Sequence, residues 1–219
     1  MSRIAPSLLA ADFTRLADEL ERFRRSGAEI LHLDVMDGDF VSGITFGSDL
    51  VKALRPLAPD AIFDVHLMVT HPLRQIERFC RAGADYVTVH TECCDDVAEC
   101  LRAIRACGAR PGVSIKPATP ASAVLPYLGM IDLCLVMTVE PGLGGQAMIY
   151  ECLDKLGEIR KAADDAGSSL LLSVDGGVRE DNCAFVAGKG ADIIVAGSAA
   201  FGASDMESAV RRLTGLVGG

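Results

Sequence analysis

Hydrophobic positions in this chain come in blocks rather than singly. Short apolar runs rich in Val, Ile and Leu recur along its length, and stretches with apolar residues at helical spacing lie between them. Nearly continuous apolar runs are typical of parallel strands that are covered on both faces. The runs predict eight strands: Arg3–Leu9, Ile30–Met36, Ile62–Val69, Tyr86–His90, Gly112–Lys116, Leu133–Val139, Leu170–Asp175 and Asp192–Ala196.

Amphipathic stretches follow most of these runs. The first, Ala11–Arg25, has apolar residues at helical spacing, and Asp12 stands where an N-cap is expected. These apolar residues are Phe13, Leu16, Leu20 and Phe23. Further helices are predicted over Leu73–Ala82, Asp95–Cys107, Ile149–Ala166, Glu180–Gly188 and Met206–Leu216, with weaker, proline-broken helices after Gly47 and Thr119. Glycines suited to end a helix follow four stretches: Gly27, Gly83, Gly108 and Gly190.

The strand–helix alternation continues without a linker or a shift in composition. Eight βα units predict an α/β fold, a single (β/α)₈ TIM barrel that forms one catalytic domain over residues 1–219. The alternative is an open doubly wound sheet, which usually carries a Gly-x-Gly-x-x-Gly turn after its first strand. This chain has Ala-Ala-Asp-Phe there, so the barrel is favoured.

Composition narrows the possible partners. Half of the 219 residues are hydrophobic, and the formal net charge is −9, which disfavours disorder, nucleic-acid binding and attachment to an anionic membrane. No apolar run reaches the ~18 residues that span a bilayer. The eight cysteines form no Cys-x-x-Cys pair, so we expect reduced thiols and a cytoplasmic protein.

Polar side chains interrupt the apolar strands where a barrel has its active site, near the carboxyl ends. His32 and Asp34 share one face of strand two, Asp64 and His66 share one face of strand three, and Asp175 ends strand seven. Two histidines and two aspartates suit a divalent first-row metal such as Zn²⁺, Fe²⁺, Mn²⁺ or Co²⁺. We expect Asp64, which lies deeper, to orient a ligand.

Spacing alone leaves other interpretations open. Buried histidines are often ordinary core residues, and His90 is either structural or adjacent to a substrate. Met36, Met68 and Met137 are either core residues or an apolar lid around a reacting carbon.

Glycine-rich turns give a second signal. Pro141–Gln146 forms a loop after strand six, while Gly176-Gly177 and Gly197-Ser198 follow strands seven and eight. Backbone N–H groups at these last two turns are where barrels commonly bind phosphate. An anionic substrate is therefore compatible with the negative net charge.

Two aspartates on opposite sides of a metal suggest proton transfer at both faces of one carbon. Removal of a proton next to a carbonyl leaves an enediolate, whose charge a metal stabilises. One carboxylate removes the proton and the other returns one from the opposite face. The expected outcome is inversion at that carbon.

The chain resembles the ribulose-phosphate 3-epimerase family. The matching segments follow the family order and cover nearly the whole chain: Ile4–Phe13, His32–Gly38, Asp64–Met68, Pro117–Pro120, Val136–Gln146, Val174–Gly177 and Val195–Ser198. The resemblance implies a barrel of the ribulose-phosphate-binding type that interconverts D-ribulose 5-phosphate and D-xylulose 5-phosphate in the pentose phosphate pathway. It also implies a homo-oligomer, a dimer or a hexamer.

The resemblance also assigns roles. One divalent metal ion would be held by His32, Asp34, His66 and Asp175. Asp34 would accept the proton and Asp175 would donate one, with the roles exchanged in reverse. Residues expected to contact the substrate are Ser7, Met36, His66, Met68, Met137, Gly142, Leu143, Gly144, Gly145, Gly176, Gly177, Gly197 and Ser198.

Two loops depart from the family pattern. After strand two the family usually has Gly-His-Phe-Val-Pro-Asn, whereas this chain has Asp39, Ser42 and Gly43 at the His, Pro and Asn positions. In the loop after strand six, Leu143 and Ala147 replace Phe and Lys. A related ketose phosphate such as D-allulose 6-phosphate is therefore an alternative substrate.

Other activities have weaker support. A decarboxylase of the orotidine-monophosphate type would carry Asp-x-Lys-x-x-Asp, which is absent. A Schiff-base aldolase needs a buried lysine, and the one candidate, Lys116, precedes a proline. A sugar-phosphate-binding barrel without activity would have lost an acid, a base or a ligand, and none is lost.

Overall fold

Eight parallel strands form the centre of the molecule, in a computed structural model that describes residues 1–218. The strands are β1 Arg3–Pro6, β2 Ile30–Met36, β3 Ile62–Met68, β4 Tyr86–His90, β5 Arg110–Ile115, β6 Leu133–Met137, β7 Leu171–Asp175 and β8 Ile193–Ala196. They are hydrogen-bonded in the order β1-β8-β7-β6-β5-β4-β3-β2. The predicted (β/α)₈ barrel is confirmed.

The barrel closes between β1 and β2 just beyond the end of β1. Arg3 pairs with Ile193 on one side of β1, and on the other side Ser7 forms an isolated parallel bridge with His32. Adjacent strands elsewhere pair over longer stretches, as β2 and β3 do from Ile30 to Met36. The seam of the barrel therefore lies at two residues that the sequence assigns to the active site.

Within residues 1–218, seven α-helices surround the strands. They are α1 Leu16–Ser26, α2 Ser48–Leu54, α3 Ile76–Ala82, α4 Val97–Ala106, α5 Asp154–Asp165, α6 Cys183–Gly188 and α7 Met206–Val217. Aspartates cap several N-termini, since Asp96 accepts from the Glu99 N–H at 2.7 Å and Asp205 from the Ser208 N–H at 3.0 Å. The four predicted C-terminal glycines all have positive φ.

Some predicted boundaries were wrong. Strand one ends at Pro6 rather than Leu9, because the Ser7 hydroxyl accepts from the Leu9 N–H and begins a 3₁₀ turn. Asp12 caps a short 3₁₀ segment rather than α1 itself. Strand six ends at Met137 rather than Val139, since the Thr138 carbonyl accepts from the Ile149 N–H outside the sheet.

The segment after Thr119 contains no α-helix. It forms two 3₁₀ turns, Ala121–Ala123 and Leu125–Tyr127. Pro120 precedes the first turn, and Pro126 lies within the second. A proline has no N–H to donate, so this unit cannot build a continuous helix.

One face of each strand packs against the surrounding helices, and the other points into the barrel. The side chains of the candidate active site lie on the inner faces. On β2, Leu31, Leu33 and Val35 face the helices and belong to the main apolar core, whereas His32 and Asp34 point into the barrel. The base of the barrel interior is apolar, with a separate cluster that includes Ile30. Polar residues are therefore concentrated toward the carboxyl ends of the strands.

Across residues 1–218, none of the helices has the length and apolar character needed to cross a membrane. All eight cysteines are free thiols. Cys94 and Cys107 are exposed, while four others are buried.

Candidate metal centre and active site

Four side chains converge at the mouth of the barrel. His32 and Asp34 come from β2, His66 from β3 and Asp175 from the end of β7. Each residue offers one ligand atom, and these atoms all lie within 4.8 Å of one another. Strand register produces the contact, because Asp34 pairs with His66 across neighbouring strands.

Hydrogen bonds fix which nitrogen of His32 faces the cluster. Nδ1 lies 2.8 Å from Oδ2 of Asp64, so Nε2 is left facing Asp34 Oδ1 at 3.2 Å. Asp64 therefore lies behind the histidine, as the sequence predicted. The Ser7 hydroxyl donates to Asp34 Oδ2 at 2.6 Å and holds that carboxylate from the other side.

These residues fit a divalent metal ion. Two nitrogens and two carboxylates are a donor set that first-row divalent cations accept. Within residues 1–218, no lysine or arginine pairs with Asp34 or Asp175, so their charge is not neutralised by a fixed cation. A bound cation would offset that charge at the centre of the cluster.

The two aspartates have opposite electrostatic surroundings. Burial favours the neutral acid, but His32 and His66 outweigh it and hold the pKa of Asp34 well below its usual value. Burial and then the charge of Asp34 raise the pKa of Asp175 to about 6. The carboxylate of Asp175 accepts no hydrogen bond among the described residues, whereas that of Asp34 has three hydrogen-bond partners.

His32 is affected by the same charges. Burial lowers its pKa, but Asp34 and Asp64 outweigh burial and raise the pKa well above its usual value.

A cavity of about 580 Å³ opens above the cluster. Asp34 and Asp175 reach its floor, whereas His32 and His66 are fully buried beneath it. Of the residues predicted to contact a substrate, all except His66 line the cavity: Ser7, Met36, Met68, Met137, Gly142, Leu143, Gly144, Gly145, Gly176, Gly177, Gly197 and Ser198. The cavity is large enough for a small sugar phosphate.

The turn after β7 depends on its glycines. Gly177 has φ +66°, and a Cβ there would lie 2.5 Å from the backbone nitrogen of Met148. Gly176 has φ +120°, and its Cβ would lie 2.6 Å from Val139. These glycines let the turn after β7 pack directly against the segment that follows β6.

Hydrogen bonds within the loop after β6 link its two ends. Gln146 donates through Nε2 to the carbonyls of Glu140 and Leu143 at 2.7 and 2.8 Å. Leu143 projects outward at the cavity rim and is 68% exposed. The loop therefore has a fixed shape at its base and an apolar tip in solvent.

Comparison with known proteins identifies the family. A profile described as "Ribulose-phosphate 3 epimerase family" matches residues 3–201. A protein of Bacillus subtilis named "Ribulose-phosphate 3-epimerase" is 42% identical over 216 residues, which cover 98% of this chain and 99% of that protein. A protein of the same name from Mycobacterium tuberculosis is 45% identical over 210 residues, covering 96% and 90%.

The chain belongs to the ribulose-phosphate 3-epimerase family. It is therefore an isomerase, an epimerase, and the resemblance read from its motifs is confirmed.

Solved structures support the fold alone. The chain is similar to 3-keto-L-gulonate-6-phosphate decarboxylase from Vibrio cholerae, with a TM-score of 0.76, 17% identity and coverage of 99% of this chain and 97% of that one. Because this neighbour has another activity, the shape of the barrel does not distinguish an epimerase from a decarboxylase.

The departures from the epimerase family pattern lie at different distances from the cavity. Gly43 lines it, and a Cβ there would be 3.1 Å from Met36 Sδ and 3.2 Å from the Gly142 carbonyl oxygen. Leu143 lines it as well, whereas Asp39 borders a separate cavity beside β2 and β3. Lys116 lies outside the main cavity, with Nζ 3.9 Å from the ring centre of Phe40, so the aldolase alternative gains no support.

Sequence reasoning missed two kinds of residue in this epimerase. Ile44, Thr45 and Arg179 also line the cavity, although none belongs to a strand-end motif. Glu92 bonds to His90, whose own role the sequence left open. His90 and Glu92 are two residues apart at the end of β4, and this spacing is the sequence signal that could have predicted their contact.

Proposed function

We propose that this chain inverts C3 of D-ribulose 5-phosphate to give D-xylulose 5-phosphate, reversibly. The observation that carries the proposal is the pair Asp34 and Asp175, which come from opposite sides of the barrel and both reach the floor of one cavity. Relatives at 42% and 45% identity are named ribulose-phosphate 3-epimerase, which supports the same substrate here.

Proton transfer is assigned to the two aspartates. Asp34, held ionised by two histidines, accepts the proton from C3 on one face of the substrate. Asp175 keeps a proton near neutral pH more readily, because burial and the charge of Asp34 raise its pKa to about 6. It donates to the opposite face of the enediolate, and the two residues exchange roles in the reverse direction.

His32, Asp34, His66 and Asp175 would hold one divalent metal ion, with zinc, iron, manganese and cobalt as candidates. When bound, such an ion supplies Lewis-acid stabilisation of the negative charge that develops on the substrate oxygens. The chain itself contributes the Ser7 hydroxyl, which orients the Asp34 carboxylate for proton abstraction.

The remaining cavity residues bind and enclose the substrate. Met36, Met68 and Met137 present apolar surface beside the carboxylates and exclude water from the reacting carbon. The turns Gly176-Gly177 and Gly197-Ser198 bind the phosphate. The loop Gly142–Gly145 covers the sugar.

The chain is also proposed to act as one catalytic domain, to assemble as a homo-oligomer, a dimer or a hexamer, and to work in the cytoplasm. Nucleic acid and membrane are not proposed as partners, because the net charge of −9 disfavours anionic surfaces.

A coupled assay tests the proposal. Chelator-treated protein is reconstituted separately with Zn²⁺, Fe²⁺, Mn²⁺ and Co²⁺, and conversion of D-ribulose 5-phosphate to the xylulose isomer is followed. We expect metal-dependent turnover that falls by a factor of about 10³ or more in Asp34→Asn and Asp175→Asn. Asp60→Asn, at an exposed aspartate away from the cavity, is the matched control and should retain activity. Turnover that survives in either site variant would contradict the two-aspartate mechanism.

D-Allulose 6-phosphate is the second candidate substrate. The observation that favours it is Gly43, which lines the cavity without a side chain where the family usually has Asn. The glycine lets the loop after β2 approach Met36 and the Gly142 carbonyl closely, which gives this wall of the cavity a shape that asparagine would change. Offering both sugars to the wild type and to Gly43→Asn separates the candidates, since a hexulose epimerase would lose its preferred substrate in the variant.

A further inference from the structure

A line of buried polar side chains runs outward from the metal-site residue His66. Its Nε2 lies 2.8 Å from Nε2 of His90, and Nδ1 of His90 lies 3.1 Å from Oε2 of Glu92. Both histidines are fully buried. Neither His90 nor Glu92 reaches the cavity, so neither can contact a substrate there.

Two hydrogen-bond donors hold one oxygen of the Glu92 carboxylate in place. Its Oε1 accepts from the Lys116 backbone N–H at 2.8 Å and from the Thr119 hydroxyl. A carboxylate has no proton to give, so Oε2 must also accept. The proton between Glu92 and His90 therefore belongs to Nδ1 of His90.

The position of the proton on His90 determines the position of the proton on His66. A neutral imidazole carries one proton, so a proton on Nδ1 leaves Nε2 of His90 bare and ready to accept. The partner, Nε2 of His66, must then donate. A bare Nδ1 on His66 is what a metal ion requires. The Asp34 carboxylate, whose Oδ1 lies 3.1 Å from this nitrogen, attracts a proton to it, and the bonds that run from Glu92 oppose that attraction by keeping the ring proton on Nε2.

We propose that Glu92, acting through His90, is a positioning residue that holds His66 in the tautomer whose Nδ1 can bind a metal ion. The contact between two histidines is symmetric and could run in either direction, and the carboxylate removes that symmetry. This inference rests on the proposed metal-dependent function. Groups that orient a ligating histidine typically account for a factor of 10–100 in metal affinity.

Glu92→Gln should reverse the direction of the hydrogen bonds from residue 92 through His90 to His66. The glutamine oxygen must accept from the Lys116 N–H, which turns its NH₂ group toward His90. Nδ1 of His90 must then accept, its proton moves to Nε2, and Nε2 of His66 must accept in turn. The proton of His66 arrives at Nδ1, where it blocks the nitrogen that faces the site.

Two measurements test the inference. Long-range ¹H–¹⁵N NMR spectra of the metal-free protein report which ring nitrogen carries each proton, and the chain has only four histidines to assign. Zinc affinity is measured by competition with a chelating indicator. In the wild type we expect the proton on Nε2 of His66 and on Nδ1 of His90. In Glu92→Gln we expect both to switch and zinc affinity to fall 10–100-fold.

The chain offers a matched control. Asp95 also accepts a backbone N–H, that of Leu73, on one oxygen and lies 2.9 Å from His71 Nδ1 through the other, but this pair leads to no cluster residue. Asp95→Asn should leave zinc affinity within a factor of two. Thr119→Val removes the hydroxyl that donates to Glu92 but keeps the Lys116 N–H, so the Glu92 carboxylate and its bond to His90 remain. This variant shows whether a change in packing around Glu92 is enough to lower zinc affinity.

Several results would overturn the inference. They are the opposite tautomers in the wild type, unchanged tautomers and affinity in Glu92→Gln, or an equal loss of affinity in Asp95→Asn or Thr119→Val. The wild-type spectra decide the matter even when a variant fails to fold. If the wild type binds no divalent metal, the proposed function fails separately, while the spectra still report on the line itself.

Discussion

Asp34 and Asp37 are three residues apart, yet they lie in very different surroundings. Asp34 is buried among histidines at the cavity floor. Asp37 lies at the surface, where its Oδ1 accepts from the N–H groups of Asp39 and Phe40 and its Oδ2 from that of Thr70. It holds the loop after β2 to the end of β3.

Asp37→Asn should destabilise the protein in a pH-dependent way. Burial works against ionisation, but the three backbone donors outweigh it and lower the pKa of Asp37. A lowered folded-state pKa gives stability that is present above the unfolded value near 3.9 and is lost as pH falls through the folded one. We expect a loss of about 1 kcal/mol at pH 7 because the site is exposed. Urea unfolding from pH 7 to pH 3 checks this, and a difference between the two proteins that grows toward pH 3 would refute it.

Gly177→Ala should cost both stability and substrate binding. The new Cβ meets the Met148 backbone and requires a left-handed conformation, a strain of about 2–3 kcal/mol. The turn that is proposed to bind phosphate then moves away from the loop after β6, so KM rises. Denaturant unfolding and steady-state kinetics check the two effects. Gly129→Ala, where no atom lies within 4 Å and φ is not positive, is the matched control.

At the scale of elements, α5 carries an exposed glycine in its interior. Gly157 lies within Asp154–Asp165, and a Cβ there would meet nothing within 4 Å. Alanine is favoured over glycine in a helix by about 1 kcal/mol. Gly157→Ala should therefore raise Tm by about 2–4 °C without changing kcat. A lower Tm by calorimetry would mean that α5 needs this glycine for a contact outside the described chain.

Elements differ in how far the sequence predicts them. The apolar runs of β2 and β4 were predicted to the residue, because their edges coincide with the start and end of pairing. Short 3₁₀ segments were not predicted, since one turn such as Pro72–Arg74 has too few residues to show a period. Ser7 was assigned to a strand because its side-chain bond to a backbone N–H leaves no hydrophobic signal.

The candidate site was predictable where strand alternation governs it. Asp34 and His66 come together because neighbouring strands place alternate residues inside the barrel. Glu92 was not predictable in the same way, since it follows the end of β4 and its partners lie beyond β5. Contacts between loops depend on the folded path of the chain, which periodicity does not encode.

At the scale of the whole molecule, metal removal should lower thermal stability. The proposed ion offsets the charges of Asp34 and Asp175, and binding at 100 times Kd adds about 2.7 kcal/mol. Chelation should then lower Tm by roughly 5–10 °C, measured by calorimetry. The Asp34→Asn, Asp175→Asn double variant is the control, and its Tm should not respond to the chelator. An unchanged wild-type Tm after verified metal removal would contradict the prediction.

The pairing of β1 with β8 has a consequence for synthesis on the ribosome. β1 leaves the ribosome first, yet its partner β8 is among the last segments to be made, since Arg3 pairs with Ile193. At about 5–20 residues per second, β1 waits roughly ten to forty seconds for that partner. Gly197 and Ser198 follow β8 and line the cavity, so a nascent chain has no completed cavity until its C-terminal strand has joined. A product of translation that ends before β8 therefore carries most of the barrel but lacks this part of the cavity wall.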